Sequence, residues 1–289
     1  MRGKKMKRIL IIATGGTIAC VRSDDGLVPQ MDPSKVLDFV PEIFKICDVE
    51  LLQLFSIDSS NMYDMHWLKI AETVEENYSR YDGFVIMHGT DTMAYTAAAL
   101  SYLLQNISKP VVITGAQQPI ERSISDGRLN LLNSVYYAAS QNAFGVVIMF
   151  NGKVIAGTRA RKVRTKSYNA FSSIDFPEIA QVQEGHIIRY ITGERPEGEP
   201  EFYHHMRGRI FPLRLIPGMD PHGLCDLQDR YDAMIIESFG IGGIPEYELH
   251  GGRYAEVIGT WLRAGKVVVV TTQVPHEGSD MAVYHVGMH

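Results

Sequence analysis

The sequence predicts an α/β protein in which a larger N-terminal, mostly parallel sheet domain with flanking helices precedes a smaller α/β domain. Three observations carry that expectation. Apolar runs at Ile9–Ile12, Val49–Phe55, Phe84–Met87, Pro110–Thr114 and Val146–Phe150 alternate with helical stretches, the pattern of parallel strands joined by right-handed crossovers. Two of these runs open into glycine turns dense in hydroxyls, Ala13-Thr14-Gly15-Gly16-Thr17-Ile18-Ala19 and His88-Gly89-Thr90-Asp91-Thr92. Finally, Gly193-Glu194-Arg195-Pro196-Glu197-Gly198-Glu199-Pro200 interrupts the pattern with glycine, proline and charge. The expected division is a domain over 1–190, a linker over 191–212 and a smaller domain over 213–289.

Each element follows from its residues. Ile9–Ile12 reads as the first strand, followed by a loop containing Asp24, Asp25, Gly26 and Pro29. The second strand, Val49–Phe55, ends in Ser56-Ile57-Asp58-Ser59-Ser60. A helix comes next, because Trp67, Ile70, Ala71, Val74 and Tyr78 recur at three- and four-residue spacing while Glu72, Glu75, Glu76 and Arg80 fall on the other face. Phe84–Met87 is the third strand, Thr92–Gln105 an alanine-rich helix, Pro110–Thr114 the fourth strand, Leu129–Ala139 a helix and Val146–Phe150 the fifth strand. Asn151-Gly152 reads as a tight hairpin turn into Lys153–Ile155. In the smaller domain, Leu213–Pro217, Ala233–Ser238 and Val267–Thr272 are strand-like and Tyr254–Arg263 is helical.

In an open parallel sheet the carboxyl ends of the strands share one edge, where ligands bind. The turns at Thr14–Thr17, Asp58–Ser60, Thr90–Thr92 and Thr114-Gly115-Ala116-Gln117 are therefore expected to crowd together. With 28 Lys and Arg against 33 Asp and Glu in 289 residues, the formal charge of -5 offers no global field for nucleic acid or an anionic membrane, so a small-molecule partner is expected. The basic start, Met1 to Arg8, precedes an apolar run too short for a secretion signal, and no stretch reaches membrane-spanning length. Cys20, Cys47 and Cys225 are odd in number and scattered, which favours a reducing compartment over a disulfide framework. A cytoplasmic location is expected.

A threonine at a glycine turn suits nucleophilic attack, because the absent side chains let a carbonyl approach and free backbone N–H groups can stabilise an oxyanion. Its hydroxyl needs activation, for instance by a neutral lysine acting through a second hydroxyl, with a carboxylate orienting the relay. Thr90 and Asp91 offer the hydroxyl and the acid. The lysine has to come from Thr158-Arg159-Ala160-Arg161-Lys162-Val163-Arg164-Thr165-Lys166, yet such basic runs are ordinarily solvated and residue type singles out no base. Plainer roles compete elsewhere too. Thr90 and Thr92 suit a helix cap, Asp58 and Ser59 suit a turn, and His88 suits a hydrogen-bonded strand end. The first turn fits neither common nucleotide-phosphate fingerprint, and His204-His205 lack ligands at metal spacing.

Taken in order, T-G-G-T-I-A, D-S-S, H-G-T-D-T-M-A-Y-T, I-T-G-A-Q, F-N-G-K-V, G-T-R-A-R-K, E-S-F-G-I-G-G-I-P and T-T-Q-V-P-H-E-G-S-D-M resemble the bacterial cytoplasmic (type I) L-asparaginases from about Ile9 to Gly287. The resemblance implies that Thr17 is the nucleophile, that Thr90, Asp91 and Lys162 form the second catalytic group, and that Asp58, Ser59, Ser60, Thr90 and Asp91 bind substrate. In it Ser59 and Asp91 hold the substrate's α-carboxylate and α-amino group. The implied reaction passes through an aspartyl ester, releases ammonia from L-asparagine, needs no metal or organic cofactor, and takes place in a homodimer or homotetramer.

There are departures. Many family members carry a tyrosine in the loop after T-G-G-T-I-A, where this chain has Leu27. Some have a regulatory site using an arginine at the position of Glu237, so that regulation is not expected here. Family members usually continue beyond the position of Val286-Gly287, so a shortened smaller domain with a marginal core is expected. These departures leave open a homologue that binds asparagine or aspartate without efficient turnover. A related amidase subunit of tRNA-dependent glutamine synthesis is the rival within the enzyme class, though it normally carries a domain ahead of its T-G-G-T motif, which here begins at Thr14.

Overall fold

The computed structural model describes residues 6–19, 21–23, 26–28 and 33–280, and the chain gathers into two compact units that divide between His205 and Met206. The first unit opens with β1 (Arg8–Gly15). Where the sequence suggested only a loop, β2 (Val21–Ser23) pairs with β3 (Gly26–Val28), followed by helix α1 (Pro33–Asp38). Then come β4 (Asp48–Ile57), α2 (Asp64–Asn77), β5 (Gly83–Met87), α3 (Met93–Leu103), β6 (Leu104–Gln105), β7 (Pro110–Thr114), α4 (Gly127–Ala138) and β8 (Gly145–Phe150). The unit ends with β9 (Lys153–Ala156), β10 (Ala160–Lys162), β11 (Phe171–Ser173), β12 (Ala180–Gln183), β13 (His186–Arg189) and β14 (Glu201–Phe202).

Strands β4, β1, β5, β7 and β8 lie side by side and parallel, with β9, β12 and β13 added antiparallel in that order. The direction reverses at Asn151-Gly152, whose φ values of 50° and 75° are what a two-residue hairpin of this hand requires. Helices cover both faces, so the central strands are apolar at nearly every position rather than alternating. Ile9 and Ile11 of β1 pack with Leu131, Val135 and Tyr137 of α4, whereas Leu10 and Ile12 face the layer containing Ile70 and Val74 of α2 and Ala97 and Leu100 of α3. Burying one such aliphatic side chain is worth about 2 kcal/mol. This two-sided packing holds the turns at the strand ends in place.

The boundaries differ from expectation where a tertiary partner intervenes. The alanine-rich helix stops at Leu103 because Leu104 and Gln105 pair with Phe202 and Glu201, and Asn106 then takes a left-handed φ of 53°. In the second unit β15 (Ile210–Arg214) begins earlier than the expected Leu213 and pairs in parallel with β16 (Ala233–Ser238), which pairs with β17 (Val267–Thr272). Helix α5 (Tyr254–Arg263) buries Tyr254, Val257 and Trp261 in a core with Leu213, Leu215, Met234 and Ile236. Ile210, Val267 and Val269 remain exposed. Among the described residues no helix is long and apolar enough to cross a membrane.

Candidate active site

The four hydroxyl-bearing turns do meet at one edge of the first unit's sheet. Gly15 and Gly16 have φ values of +108° and +82°, which L-residues rarely adopt. A Cβ on Gly15 would lie 2.3 Å from the Ile57 carbonyl oxygen, and one on Gly16 only 2.4 Å from the Gly89 nitrogen. One on Gly89 would in turn lie 2.5 Å from Ser59 Oγ. The glycines therefore let three strand ends touch through bare backbone. Thr14 Oγ1 donates to the Met87 carbonyl at 2.8 Å and Thr92 Oγ1 to the Ser59 carbonyl at 2.8 Å, which pins β1 to β5 and β5 to the turn after β4. The Gly16 N–H is committed to the Ile57 carbonyl at 3.2 Å.

One residue beyond the Gly16–Gly89 contact stand Thr17, partly exposed at the start of a 3₁₀ turn, and Thr90, which is buried. Lys162 reaches Thr90 from the β10–β11 hairpin. Its Nζ donates to Thr90 Oγ1 at 2.7 Å and to Asp91 Oδ1 at 2.6 Å. The Lys162 side chain is 15% exposed and that of Asp91 65%, so the pair spans the site from interior to surface. The hairpin explains why one cation of the basic run differs from the rest. Alternation along a strand sends neighbours to opposite faces, so Arg161 is exposed while Lys162, opposite Phe171, turns inward. Phe171 is fixed in turn by packing on Phe150 with ring centroids 4.9 Å apart. Arg159, Arg164 and Lys166 are exposed, as a solvated run would be.

Residues that sequence reasoning did not assign to the site complete it. Thr90 Oγ1 donates to Gln117 Oε1 at 3.2 Å, and Gln117 Nε2 donates to the Thr165 and Ser167 carbonyls, each at 3.2 Å. The Gln117 backbone N–H is held by both carboxylate oxygens of Asp126 at 3.0 and 2.9 Å, and the Gln118 N–H by Asp126 Oδ1 at 3.0 Å. Burial pushes the Asp126 carboxyl above the usual carboxylate range, against the pull of those N–H groups. Asn130 bridges the same region, donating to the Gly115 carbonyl at 3.0 Å and accepting from the Asn151 N–H at 2.9 Å. The sequence signals for Gln117 were its place in the fourth turn and in the I-T-G-A-Q motif, neither of which gave it a role. Asp126 and Asn130 carried none, because their importance comes from burial.

The plainer roles divide. Thr92 precedes α3 but its side chain caps nothing; it ties two turns together instead. Asp58 does close a turn, accepting from the Ser60 N–H at 2.8 Å, and that backbone bond holds its carboxyl below the usual range. Ser59 is buried, whereas Asp58 and Ser60 are exposed. His88 is a satisfied strand end. It is fully buried, its Nδ1 donates to the Gly89 carbonyl at 2.7 Å, and its Nε2 accepts from Thr96 Oγ1 at 2.8 Å, which itself accepts from the Trp67 indole at 2.9 Å. Burial lowers its pKa to about 4. His204 faces Glu75 at 3.5 Å, and among the described residues no group of His, Cys, Asp and Glu is arranged to hold a metal ion. Glu237 pairs with Arg214 at 3.4 Å. The backbone of Leu27 pairs with Arg22; its side chain lies outside the described residues, as does Cys20.

A cluster of hydroxyls beside a lysine bridging a hydroxyl and a carboxylate suits acyl transfer on a small polar substrate. Two family models match the chain, described as "Asparaginase, N-terminal" over residues 8–193 and "Glutaminase/Asparaginase C-terminal domain" over residues 209–289. The L-asparaginase of Thermococcus kodakarensis is 34% identical over 282 residues, covering 97% of this chain and 84% of the relative. A solved structure of the thermostable L-asparaginase from that organism superposes with a TM-score of 0.87 at 33% identity, over 97% of this chain and 84% of the other. L-asparaginase 1 of Escherichia coli K12 is 35% identical over 288 residues, with 97% and 84% covered. A subunit of the glutamyl-tRNA(Gln) amidotransferase of Pyrococcus furiosus is 34% identical over 301 residues, with 98% of this chain and 66% of that protein covered.

Proposed function

This chain belongs to the asparaginase family, and on that premise we propose that it hydrolyses L-asparagine to L-aspartate and ammonia through a threonine nucleophile. The observation that carries the reading is the placement of Lys162 Nζ within 2.7 Å of Thr90 Oγ1 and 2.6 Å of Asp91 Oδ1. Thr17 Oγ attacks the side-chain amide carbon of the substrate and forms an ester with it. As Lys162 Nζ gives a proton to Asp91 Oδ1, Thr90 turns its own proton from Gln117 Oε1 to Nζ and takes up that of Thr17; the reverse transfers protonate the amide nitrogen, which leaves as ammonia. Water then attacks the ester, releasing aspartate and restoring the Thr17 hydroxyl. Ser59 and Asp91 hold the α-carboxylate and α-amino group, with Asp58 and Ser60 on the rim of the same turn. The chain acts as a homodimer or homotetramer, a state that light scattering reads directly.

The test is ammonia release at neutral pH from L-asparagine and, separately, L-glutamine, by the unaltered chain, Thr17→Ala and Lys162→Ala. Turnover of asparagine, abolished by the first substitution and reduced about 10²–10⁴-fold by the second, is the expected result. A folded, inactive chain that still binds aspartate by calorimetry refutes the catalytic reading in favour of a binding protein. The identity to an amidotransferase component favours a second reading, supply of ammonia to a partner enzyme. It is supported if glutamine is turned over in preference to asparagine.

A further inference from the structure

We propose that Gln117 is a positioning residue for the Thr90–Lys162 pair, a clamp that orients the Thr90 hydroxyl with one end of its carboxamide and holds the loop after Lys162 with the other. The inference rests on the proposed reading of that pair. A threonine hydroxyl has one proton to give and two lone pairs to receive. With Lys162 Nζ donating into one lone pair at 2.7 Å, the proton goes to Gln117 Oε1 at 3.2 Å, and the second lone pair stays open toward the site. The rotation of Thr90 about its side-chain bond is thereby set from two sides.

The other end of the carboxamide acts on the β10–β11 loop. The base of that loop is closed by the Val163 and Arg164 N–H groups, both on the Ala170 carbonyl, at 2.8 and 3.3 Å. Toward its tip Gln117 Nε2 donates to the Thr165 and Ser167 carbonyls, of residues that are otherwise exposed. Carbonyls accept only, so Nε2 must face them and Oε1 must face Thr90. The flip of the carboxamide is thus decided by its partners. The clamp is rigid at its root, because the buried Asp126 carboxylate grips the Gln117 N–H with both oxygens.

The experiment compares the full chain with Gln117→Met, which keeps the length and the backbone bonds to Asp126 but removes the carboxamide, and with Gln117→Glu, which keeps an acceptor for Thr90 but cannot donate to the loop. Trypsin cleavage of the native protein after the exposed Arg164 and Lys166 reads the loop without reference to activity. Both variants are expected to be cut there about tenfold faster than the parent, the factor for losing ordinary hydrogen bonds. Gln117→Met is also expected to lower kcat for ammonia release about tenfold with KM nearly unchanged. Cleavage as slow as in the parent in whichever variant folds overturns the clamp whatever the activity. Faster cleavage with an unaltered kcat, in an enzyme that releases ammonia, overturns the action on Thr90. Should the parent release no ammonia while both variants are cut faster, the clamp on the loop stands and the proposed function is what has failed.

Discussion

His88 sits one residue before the turn that carries Thr90, and the way it is satisfied makes the stability of this turn depend on pH. Its Nδ1–H is used by the Gly89 carbonyl, and its Nε2 must be unprotonated to accept from Thr96. Burial lowers its folded-state pKa to about 4 from an ordinary 6.5. Between those values the unfolded chain binds a proton that the folded chain does not, so stability falls as pH falls. The contribution is fully present above pH 6.5 and is lost by about pH 4. A shift of that size corresponds to about 3 kcal/mol. His88→Gln removes the titration while keeping one donor and one acceptor. Urea unfolding at pH 7 and at pH 4, followed by the fluorescence of Trp67, whose indole donates into the same chain of bonds, should show the parent losing up to about 3 kcal/mol more than the variant over that interval. Parallel losses in the two proteins would refute the argument, because burial of a neutral imidazole would then carry no linkage.

Other expectations follow from the same contacts. Lys162→Met should lower ammonia release at least about 10²-fold while leaving the melting temperature close to that of the parent, since its neighbours Thr90 and Asp91 keep other support or exposure. An active variant removes Lys162 from the relay. Gly89→Ala places a Cβ 2.5 Å from Ser59 Oγ and 2.6 Å from Ser59 Cβ, so Ser59 must move and kcat/KM should fall about 10²-fold; unchanged kinetics mean that Ser59 holds nothing essential. Gly152→Ala meets both a φ of +75° and the Val182 carbonyl oxygen at 2.9 Å, and should cost about 1–2 kcal/mol or more in thermal unfolding without altering KM. The thiol of Cys47 is buried and pushed up to about 12, chiefly by burial, so mass-mapped alkylation at pH 8 should leave it unmodified until the chain unfolds.

Strand existence was legible because two-sided burial writes itself as continuous apolar runs, and Pro110–Thr114 is observed with the very ends its residues suggested. The glycine turns were legible for a related reason: a side chain is excluded by neighbouring backbone at positions 15 and 16 and by the Ser59 side chain at position 89. The Asn151-Gly152 reversal was likewise local chemistry. The Leu104–Gln105 strand and the β10–β11 and β12–β13 hairpins were not legible, since short polar segments become strands only when a distant edge supplies the partner hydrogen bonds.

The sequence by itself determined the layered α/β core, the hydroxyl-rich turns at the strand ends and, through its ordered motifs, the asparaginase family. The family motif had named Lys162 among the cations, but residue chemistry had not, and the tertiary structure supplies the physical reason, turning Lys162 inward beside Thr90 while Arg161 stays in water. It likewise gave work to Gln117, marked only by its place in a turn and a motif, and to Asp126 and Asn130, which no pattern had marked. Burial and backbone geometry repeat along a chain and leave a period to be read. A hydrogen bond between residues 72 positions apart, as between Thr90 and Lys162, leaves none, because it exists only once folding has brought its two ends together.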